Sequence, residues 1–468
     1  MPVGEDVLFL SVTELGDRIR SQSLSPVALT EAYLERSRKI GAQLNAYATL
    51  TPDLAMKQAK SAEEEIKAGK YRGPLHGIPY AAKDLLAVPE YPTTWGAKPY
   101  ANQKFTYEAA VITRLSEAGA VLIGKAAMIE LAGGMGYRFA SASMTGPAKN
   151  PWNAGCWTCG SSSGSGAIVS GALAAFAVGT ETWGSIICPS GFCGITGLRP
   201  TFGRVSRYGA MALAWSMDKI GPMARSAADC SLILQVIAGH DARDGGSLPT
   251  GQAEFKAASV PDTPLRVGAL ANAWQKPDRD IAEAAWAATQ NLRQHGATVA
   301  KAELPEGPWE EAAGMTISVE GASAFDELIR SGKVSELVDP LGQLGGYINQ
   351  QVQGHDYMNA QRVRRILQHK MDALFKDFDV LACPTLPVTA TTLDTNLETG
   401  LSFADPLGGI GNFCGLPAIS VPCGLSERKL PIGIQFVGPV MGDAQVLRAA
   451  ELFQANSEFH KQRPPVQS

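Results

Sequence analysis

The sequence predicts an α/β layered fold built around a mainly parallel or mixed β-sheet. Three observations carry that prediction. From about residue 78 onward, short apolar runs of strand length alternate with longer segments of helical period. The 468 residues are 45% hydrophobic, enough for one large core. No internal repeat interrupts the pattern, and no linker is long enough to split the chain into independent domains.

The elements follow in order. Ser11-Val12-Thr13-Glu14 is a capping box that opens a helix. Ser25-Pro26 opens a second, through about Ile40, with proline at the first helical position. A third, charged helix covers about Pro52 to Ala68, so residues 1–70 are expected to form an N-terminal helical layer. The pattern then changes. Ile78 to Lys83 reads as a short buried strand, Ala109 to Ala118 as a helix and Val121 to Gly124 as a strand. Residues 150–215 are rich in Gly, Ser and Cys and poor in charge. Within them 165–175 is a small-residue helix and Phe176 to Gly179 a strand. Alternation resumes with strand 265–270, helix 281–295, strand 298–303 and helices near 309–331 and 357–376. Strands at 379–383, 417–422 and 432–437 and a helix at 443–455 end the chain, and the polar segment 239–263 reads as a surface loop.

Composition excludes several classes. A net charge of −4 with only 18% charged residues gives no electrostatic footprint for nucleic acid or an anionic membrane. No apolar run reaches the ~18 residues of a spanning helix. The acidic start, Met1 to Asp6, lacks the basic region of a signal peptide, so a cytoplasmic location is expected. The eight cysteines sit mostly in apolar or Gly-rich stretches, as reduced core cysteines do. Cys156-x-x-Cys159 with Cys188 and Cys193 invites a zinc reading. The second pair is four residues apart and embedded in a predicted core segment, so packing is the better reading and no metal is expected.

The densest chemical signal is Gly160-Ser161-Ser162-Ser163-Gly164-Ser165-Gly166, which leads into a helix. A phosphate cradle fits poorly, because the Gly-Lys-Ser/Thr ending and a third spaced glycine are missing. A flexible linker fits worse, because the flanks are apolar. A buried Ser-rich loop must satisfy every hydroxyl and amide, which is costly without a task. The second signal is Gly179 to Pro189, a strand ending in a Gly turn with Ser185 at its tip, where free amides could hold an oxyanion. A serine needs a base. Of the six histidines, five lie in surface or helix contexts, and His76 sits in a turn, Leu75-His76-Gly77. Lys83 remains. It ends an apolar stretch, where desolvation would lower its pKa and suit a neutral base. A lysine salt-bridged to Asp84 is the alternative.

Together these segments closely resemble the amidase signature family of Ser–cis-Ser–Lys amidohydrolases. The matching pieces are Gly73 to Pro79 with Lys83-Asp84, Gly160 to Gly164, Gly179 to Ile186, and Pro189 to Gly194. Gly197 to Thr201, Gly203 to Ser206, Gly415 to Pro422 and Pro431 to Gln435 complete the set, so the resemblance spans about residues 10–456. It implies a single large domain, 1–468, whose mixed sheet of many strands is covered by helices on both faces. Residues 71–220 would be its signature core, and 221–468 the remainder, with a variable substrate-pocket region at about 310–360. Carried over by position, Ser185 is the nucleophile, Ser161 the bridging serine after a cis Gly160–Ser161 peptide, and Lys83 the base. The backbone amides of Thr182, Trp183, Gly184 and Ser185 would form the oxyanion hole, and Ser162 would support the triad. Gly133, Gly134, Met135 and Tyr137 would contribute to the substrate pocket. No cofactor is implied.

Departures from the family pattern bear on substrate. Trp183 stands where a small residue is usual, and its ring is expected to wall the acyl pocket. Ile187 stands where many members have Arg and Glu181 where many have Asp, so a buried ion pair common in the family is expected to be absent. The leading expectation is a stand-alone amidase acting on a small, apolar amide or anilide, or on an aryl carbamate, with ester side activity. It would have no nucleic-acid partner and no membrane span, and would be a monomer or homodimer. The alternative is the A subunit of a tRNA-dependent amidotransferase using glutamine, from which Ile187 and Trp183 point away.

Overall fold

The strands, in chain order, are β1 (Tyr47–Leu50), β2 (Pro79–Lys83), β3 (Val121–Ala126), β4 (Lys149–Asn150), β5 (Asn153–Trp157), β6 (Phe176–Glu181) and β7 (Thr196–Arg199). They continue with β8 (Lys219–Ala224), β9 (Arg266–Leu270), β10 (Thr298–Ala302), β11 (Val380–Pro384), β12 (Ala418–Leu425) and β13 (Pro431–Val437). The computed structural model describes residues 3–255, 263–274, 276–401 and 404–466. Strands β4 and β5 pair only with each other; the rest form one sheet in the order β1-β3-β2-β6-β8-β7-β12-β13-β11-β9-β10. The runs β3-β2-β6 and β11-β9-β10 are parallel, and the other pairs are antiparallel. The sheet is therefore mixed, and helices cover both of its faces.

The central strands are buried on both sides. Every residue of β2, β3, β6, β8 and β13 is inaccessible, which is why they read as continuous apolar runs rather than alternating ones. Tyr80 and Phe176, register partners on β2 and β6, stack with ring centroids 5.2 Å apart and fix the alignment of these two strands.

The predicted helices form where their start signals lie. Ser11 accepts from the Glu14 amide and the Glu14 side chain accepts from the Ser11 amide, opening Val12–Arg20. Ser25 caps Pro26–Arg36. The N-terminal region is not purely helical, however. Tyr47–Leu50 leaves the helical layer to become an edge strand of the main sheet, with the Tyr47 hydroxyl donating to the Leu173 carbonyl at 3.0 Å. Strands β7 and β8 and the helices Ile187–Cys193, Ala227–Ile237 and Pro340–Asn349 also lie beyond what the sequence pattern predicts. Gly197, Gly221 and Pro222 mask β7 and β8, because glycine and proline are poor strand formers. Of the predicted loop 239–263, residues 239–255 carry no long regular element, and 256–262 lie outside the described residues.

Candidate active site

Lys83 is the last residue of β2, beside parallel β6, and its side chain is fully buried. Its Nζ donates to Ser161 Oγ at 2.7 Å, to Thr180 Oγ1 at 2.9 Å and to the Thr180 carbonyl at 3.4 Å. Asp84 does not pair with it. Consecutive residues along an extended segment face opposite sides, and Asp84 is held instead by Lys125 at 2.9 Å and by the Thr94 amide at 3.1 Å. Burial lowers the Lys83 pKa to about 7, against the opposing pull of Asp218 and Glu181.

Ser161 follows a cis Gly160–Ser161 peptide, and its carbonyl accepts from the Ile129 amide at 3.2 Å. Gly164, three residues on, has backbone on every side. A Cβ there would lie 2.4 Å from the Ala46 carbonyl oxygen and 2.5 Å from the Ala127 nitrogen. The Ser-rich loop is thus wedged against β3 and the segment before β1. Ser162 Oγ donates to the Thr180 carbonyl at 3.2 Å and accepts from the Thr180 amide at 3.3 Å, tying the loop to β6. The Ser162 amide donates to the Ser185 carbonyl at 3.3 Å, so the segments of Ser161 and Ser185 are joined directly.

Ser185 sits in the turn between β6 and the helix Ile187–Cys193, and Gly184 has φ +73, the left-handed conformation this turn requires. Among the described residues, the amides of Trp183, Gly184 and Ser185 have no backbone or side-chain acceptor. The next two amides are taken: Ile186 and Ile187 donate to Glu181 Oε2 at 2.8 and 2.9 Å. A carboxylate here complements the helix N-terminus and freezes the turn that carries Ser185. Glu181 Oε1 receives Arg199 Nη1 at 2.6 Å and Asn412 Nδ2 at 3.0 Å. Burial opposes its charge, but Arg199 and the two amides hold its pKa below the usual range. The expected loss of a buried ion pair is corrected here: Glu181 is paired with Arg199 of β7.

Trp183 does not close over Ser185 as an unsupported flap. Its Nε1 donates to Asp405 Oδ2 at 2.9 Å, and its ring lies against Gly409, leaving 3.2 Å to where a Cβ would stand. Asp405 also caps the helix Pro406–Phe413 through the Gly408 amide. On the other flank, Thr182 Oγ1 donates to Asp218 Oδ1 at 2.5 Å, and Asp218 accepts from the Leu213 and Ala214 amides. A cavity of about 190 Å³ opens there, lined by Thr180, Thr182, Leu213, Trp215, Asp218 and Lys219, among others.

The four predicted pocket residues separate. Tyr137 packs against Gly133, and its hydroxyl lies 3.4 Å from the Cβ position of Gly160, beside the cis peptide. Gly134 faces Leu213 of the cavity wall, whereas Met135 turns away onto Gly345 and Gly346 of the helix Pro340–Asn349. The 310–360 region does reach the site: Glu310 accepts from the Asp405 amide, and Glu320 accepts from the Ser216 amide and the Tyr357 hydroxyl. Sequence reasoning missed Asp218, Arg199 and Asp405. Asp405-Pro406 carries a helix-start signal, but nothing ties it to Trp183, 222 residues away. His76 stays in its turn, accepting from the Arg72 amide at 3.1 Å. Among the described residues no group of three or more His, Cys, Asp or Glu is placed to hold a metal ion.

The fold and this buried site define a class, the serine amidohydrolases. The family model for amidases matches residues 28–447, and the chain belongs to the amidase signature family. The A subunit of glutamyl-tRNA(Gln) amidotransferase from Gloeobacter violaceus is 33% identical, covering 97% of this chain and 98% of its own length. The Chloroflexus aggregans protein of the same name is 35% identical over 98% of each. Among solved structures, the peptide amidase of Stenotrophomonas maltophilia superposes with a TM-score of 0.87 at 30% identity, covering 97% of this chain and 98% of its own. A bacterial aryl acylamidase with a TM-score of 0.86 is 22% identical and shares the fold.

These relatives correct two expectations. The stand-alone amidase reading, with its anilide and carbamate substrates, gives way to the amidotransferase reading that stood as its alternative. The expected partners, an apolar small molecule and no nucleic acid, fall with it. The two departures that pointed away from the amidotransferase lose their force in the structure. Glu181 has its cation in Arg199 despite Ile187, and the Trp183 ring is anchored to Asp405 while its amide stays free.

Proposed function

We propose that this chain is the amide-hydrolysing subunit of a tRNA-dependent amidotransferase, releasing ammonia from glutamine through an acyl-enzyme on Ser185. The observation that carries this reading is the match to amidotransferase A subunits along 97–98% of the chain. The site supports it chemically. Neutral Lys83 takes a proton from Ser161, which takes one from Ser185, and Ser185 Oγ attacks the side-chain carboxamide carbon. The free amides of Trp183, Gly184 and Ser185 meet the developing oxyanion, with Thr182 contributing from the same turn. The proton returns through Ser161 to the departing nitrogen, ammonia leaves, and water cleaves the acyl-enzyme to glutamate.

Two ionisable groups, one bonded to Trp183 and one to Ser216 beside the cavity, suit a zwitterionic amide better than an apolar one. Asp405, bonded to Trp183, offers a carboxylate to an α-ammonium, whose positive charge would offset the burial that raises the Asp405 pKa. Arg364, which donates to the Ser216 carbonyl at 2.8 Å and stacks on Phe413, offers a cation to an α-carboxylate. Glutamyl-tRNA and the other subunits are the partners in this reading. The net charge of −4 fits a protein that supplies ammonia while its partners hold the tRNA. Ammonia release from glutamine, by the chain alone and with the other subunits and glutamyl-tRNA(Gln), tests it. Glutaminase activity that rises with the partners, together with transamidated tRNA, is expected. Absence of glutamine turnover under both conditions would overturn it.

A further inference from the structure

Asp218 takes no part in the proton relay, yet it is tied to the oxyanion turn. Glu181, the last residue of β6, lies opposite Lys219, the first of β8, so Thr182 and Asp218 are the next pair beyond that ladder. There the strand bonds stop and a side-chain bond replaces them. Thr182 Oγ1 donates to Asp218 Oδ1 at 2.5 Å, and this hydroxyl has no other partner among the described residues. Asp218 is itself held. Its Oδ2 accepts from the Leu213 amide at 2.8 Å and the Ala214 amide at 3.1 Å, and the Ala214 amide also reaches Oδ1 at 3.2 Å. Backbone amides only donate, so this set of contacts suits the ionised carboxylate. We infer that Asp218 is a positioning residue for the oxyanion hole, acting through the Thr182 hydroxyl on the peptide that presents the Trp183 amide.

That peptide is a rigid plane, so the direction of its N–H follows the torsions of Thr182 on one side and Trp183 on the other. Asp218 fixes the first side through the Thr182 hydroxyl, and Asp405 fixes the second through Trp183 Nε1 at 2.9 Å. Glu181 holds the far end of the turn by the Ile186 and Ile187 amides. The free amides between them have no protein acceptor to aim them, so these three carboxylates set their direction. Donors aimed in advance are what an oxyanion hole requires. Asp218 also lines the cavity beside the turn, with Leu213 and Trp215 of its own loop. That loop is fastened to two helices, Trp309–Ala324 and Gly354–Leu374. The Ser216 amide donates to Glu320 at 3.0 Å, and Arg364 donates to the Ser216 carbonyl at 2.8 Å and to its hydroxyl at 3.1 Å. The anchor of the turn is therefore as fixed as the packing of those helices. Burial raises the Asp218 pKa, and the Thr182 hydroxyl and the two amides oppose that rise.

The inference rests on the reading of Ser185 as nucleophile and not on glutamine as substrate, so it is measured with an alkyl fluorophosphonate. Ser185 Oγ attacks phosphorus, the P–O bond forms, and fluoride leaves with the P–F pair. The serine proton passes into the relay, and the phosphonyl oxygen draws on the same amides. Second-order labelling rates at Ser185 are followed by mass analysis in the full chain and its variants, with circular dichroism to check that each is folded. Thr182→Val keeps the side-chain shape and removes the hydroxyl. Asp218→Asn presents a group that cannot accept from Thr182 and from both amides at once. Each is expected to label at least about tenfold more slowly, since one oxyanion donor is worth roughly 10²–10³-fold. The double variant should be no slower than the slower single one, because both changes break the same bond. Thr182→Ser should recover most of the rate that Thr182→Val loses. Thr182→Val at the parent rate, losses that multiply in the double variant, or Thr182→Ser as slow as Thr182→Val would overturn the inference. A labelled parent that releases no ammonia from glutamine would overturn the glutamine reading alone, whereas an unlabelled Ser185 in the parent would overturn both.

Discussion

At Lys83 one serine hydroxyl, a threonine hydroxyl and that threonine's carbonyl replace the solvation that keeps an ordinary lysine charged. In the proposed relay its pKa, lowered by burial to about 7, would set the pH behaviour of the enzyme. With the neutral amine as the proposed base, log kcat/KM is expected to rise with pH below about 7 and level off above it; a flat profile from pH 5 to 9 would exclude a titrating lysine. Lys83→Ala, Ser161→Ala and Ser185→Ala are each expected to remove turnover while the circular dichroism spectrum stays that of the parent. Asp405→Asn keeps an acceptor for Trp183 but removes the charge, and a charge-assisted hydrogen bond contributes about 1.5–3 kcal/mol. KM for glutamine should therefore rise roughly tenfold or more with a smaller change in kcat. The buried clustering of Lys83 with the Ser161 and Ser185 segments was legible because polar residues crowd into apolar flanks where a buried network requires them; their catalytic roles are the proposal. Asp405 was not legible, since its partner Trp183 is far away in sequence.

Elements explain why the site keeps its shape. The turn after β6 is held from below by Glu181, whose carboxylate receives two amides, a guanidinium and an amide side chain. Removing one partner of a buried ion pair costs about 3–5 kcal/mol. Glu181→Gln should therefore lower the midpoint in a denaturant titration by a stability change of about that size, and an unchanged midpoint would show that the pair is not structural. Gly164→Ala, with backbone atoms 2.4 and 2.5 Å from the new Cβ, should destabilise by about 1–3 kcal/mol in the same titration. Helices were readable where caps announce them, as at Ser11 and Ser25. Ser226 carries the same signal for Ala227–Ile237, accepting from the Asp229 amide at 3.1 Å, but an Ala-rich apolar stretch conceals it. Strands β7 and β8 were hidden because neighbouring strands, not their own propensity, hold Gly197, Gly221 and Pro222 extended.

The whole molecule places the proposed site at the C-terminal ends of two parallel strands, β2 and β6, inside a mixed sheet that the alternating pattern anticipated in class but not in strand order. Order depends on which buried faces meet across hundreds of residues, and local pattern does not record it. Composition is silent at this scale too: a net charge of −4 carries no signature of the tRNA-linked role proposed for the chain, because such a role can be divided among subunits. In the proposed reaction Ser185 carries the acyl group taken from glutamine. Its most direct test is acid quenching during glutamine turnover, followed by mass analysis of chymotryptic peptide 184–192. A γ-glutamyl ester on Ser185 is expected, with neither adduct nor ammonia release in Ser185→Ala. Wild-type ammonia release by a folded Ser185→Ala chain would contradict it.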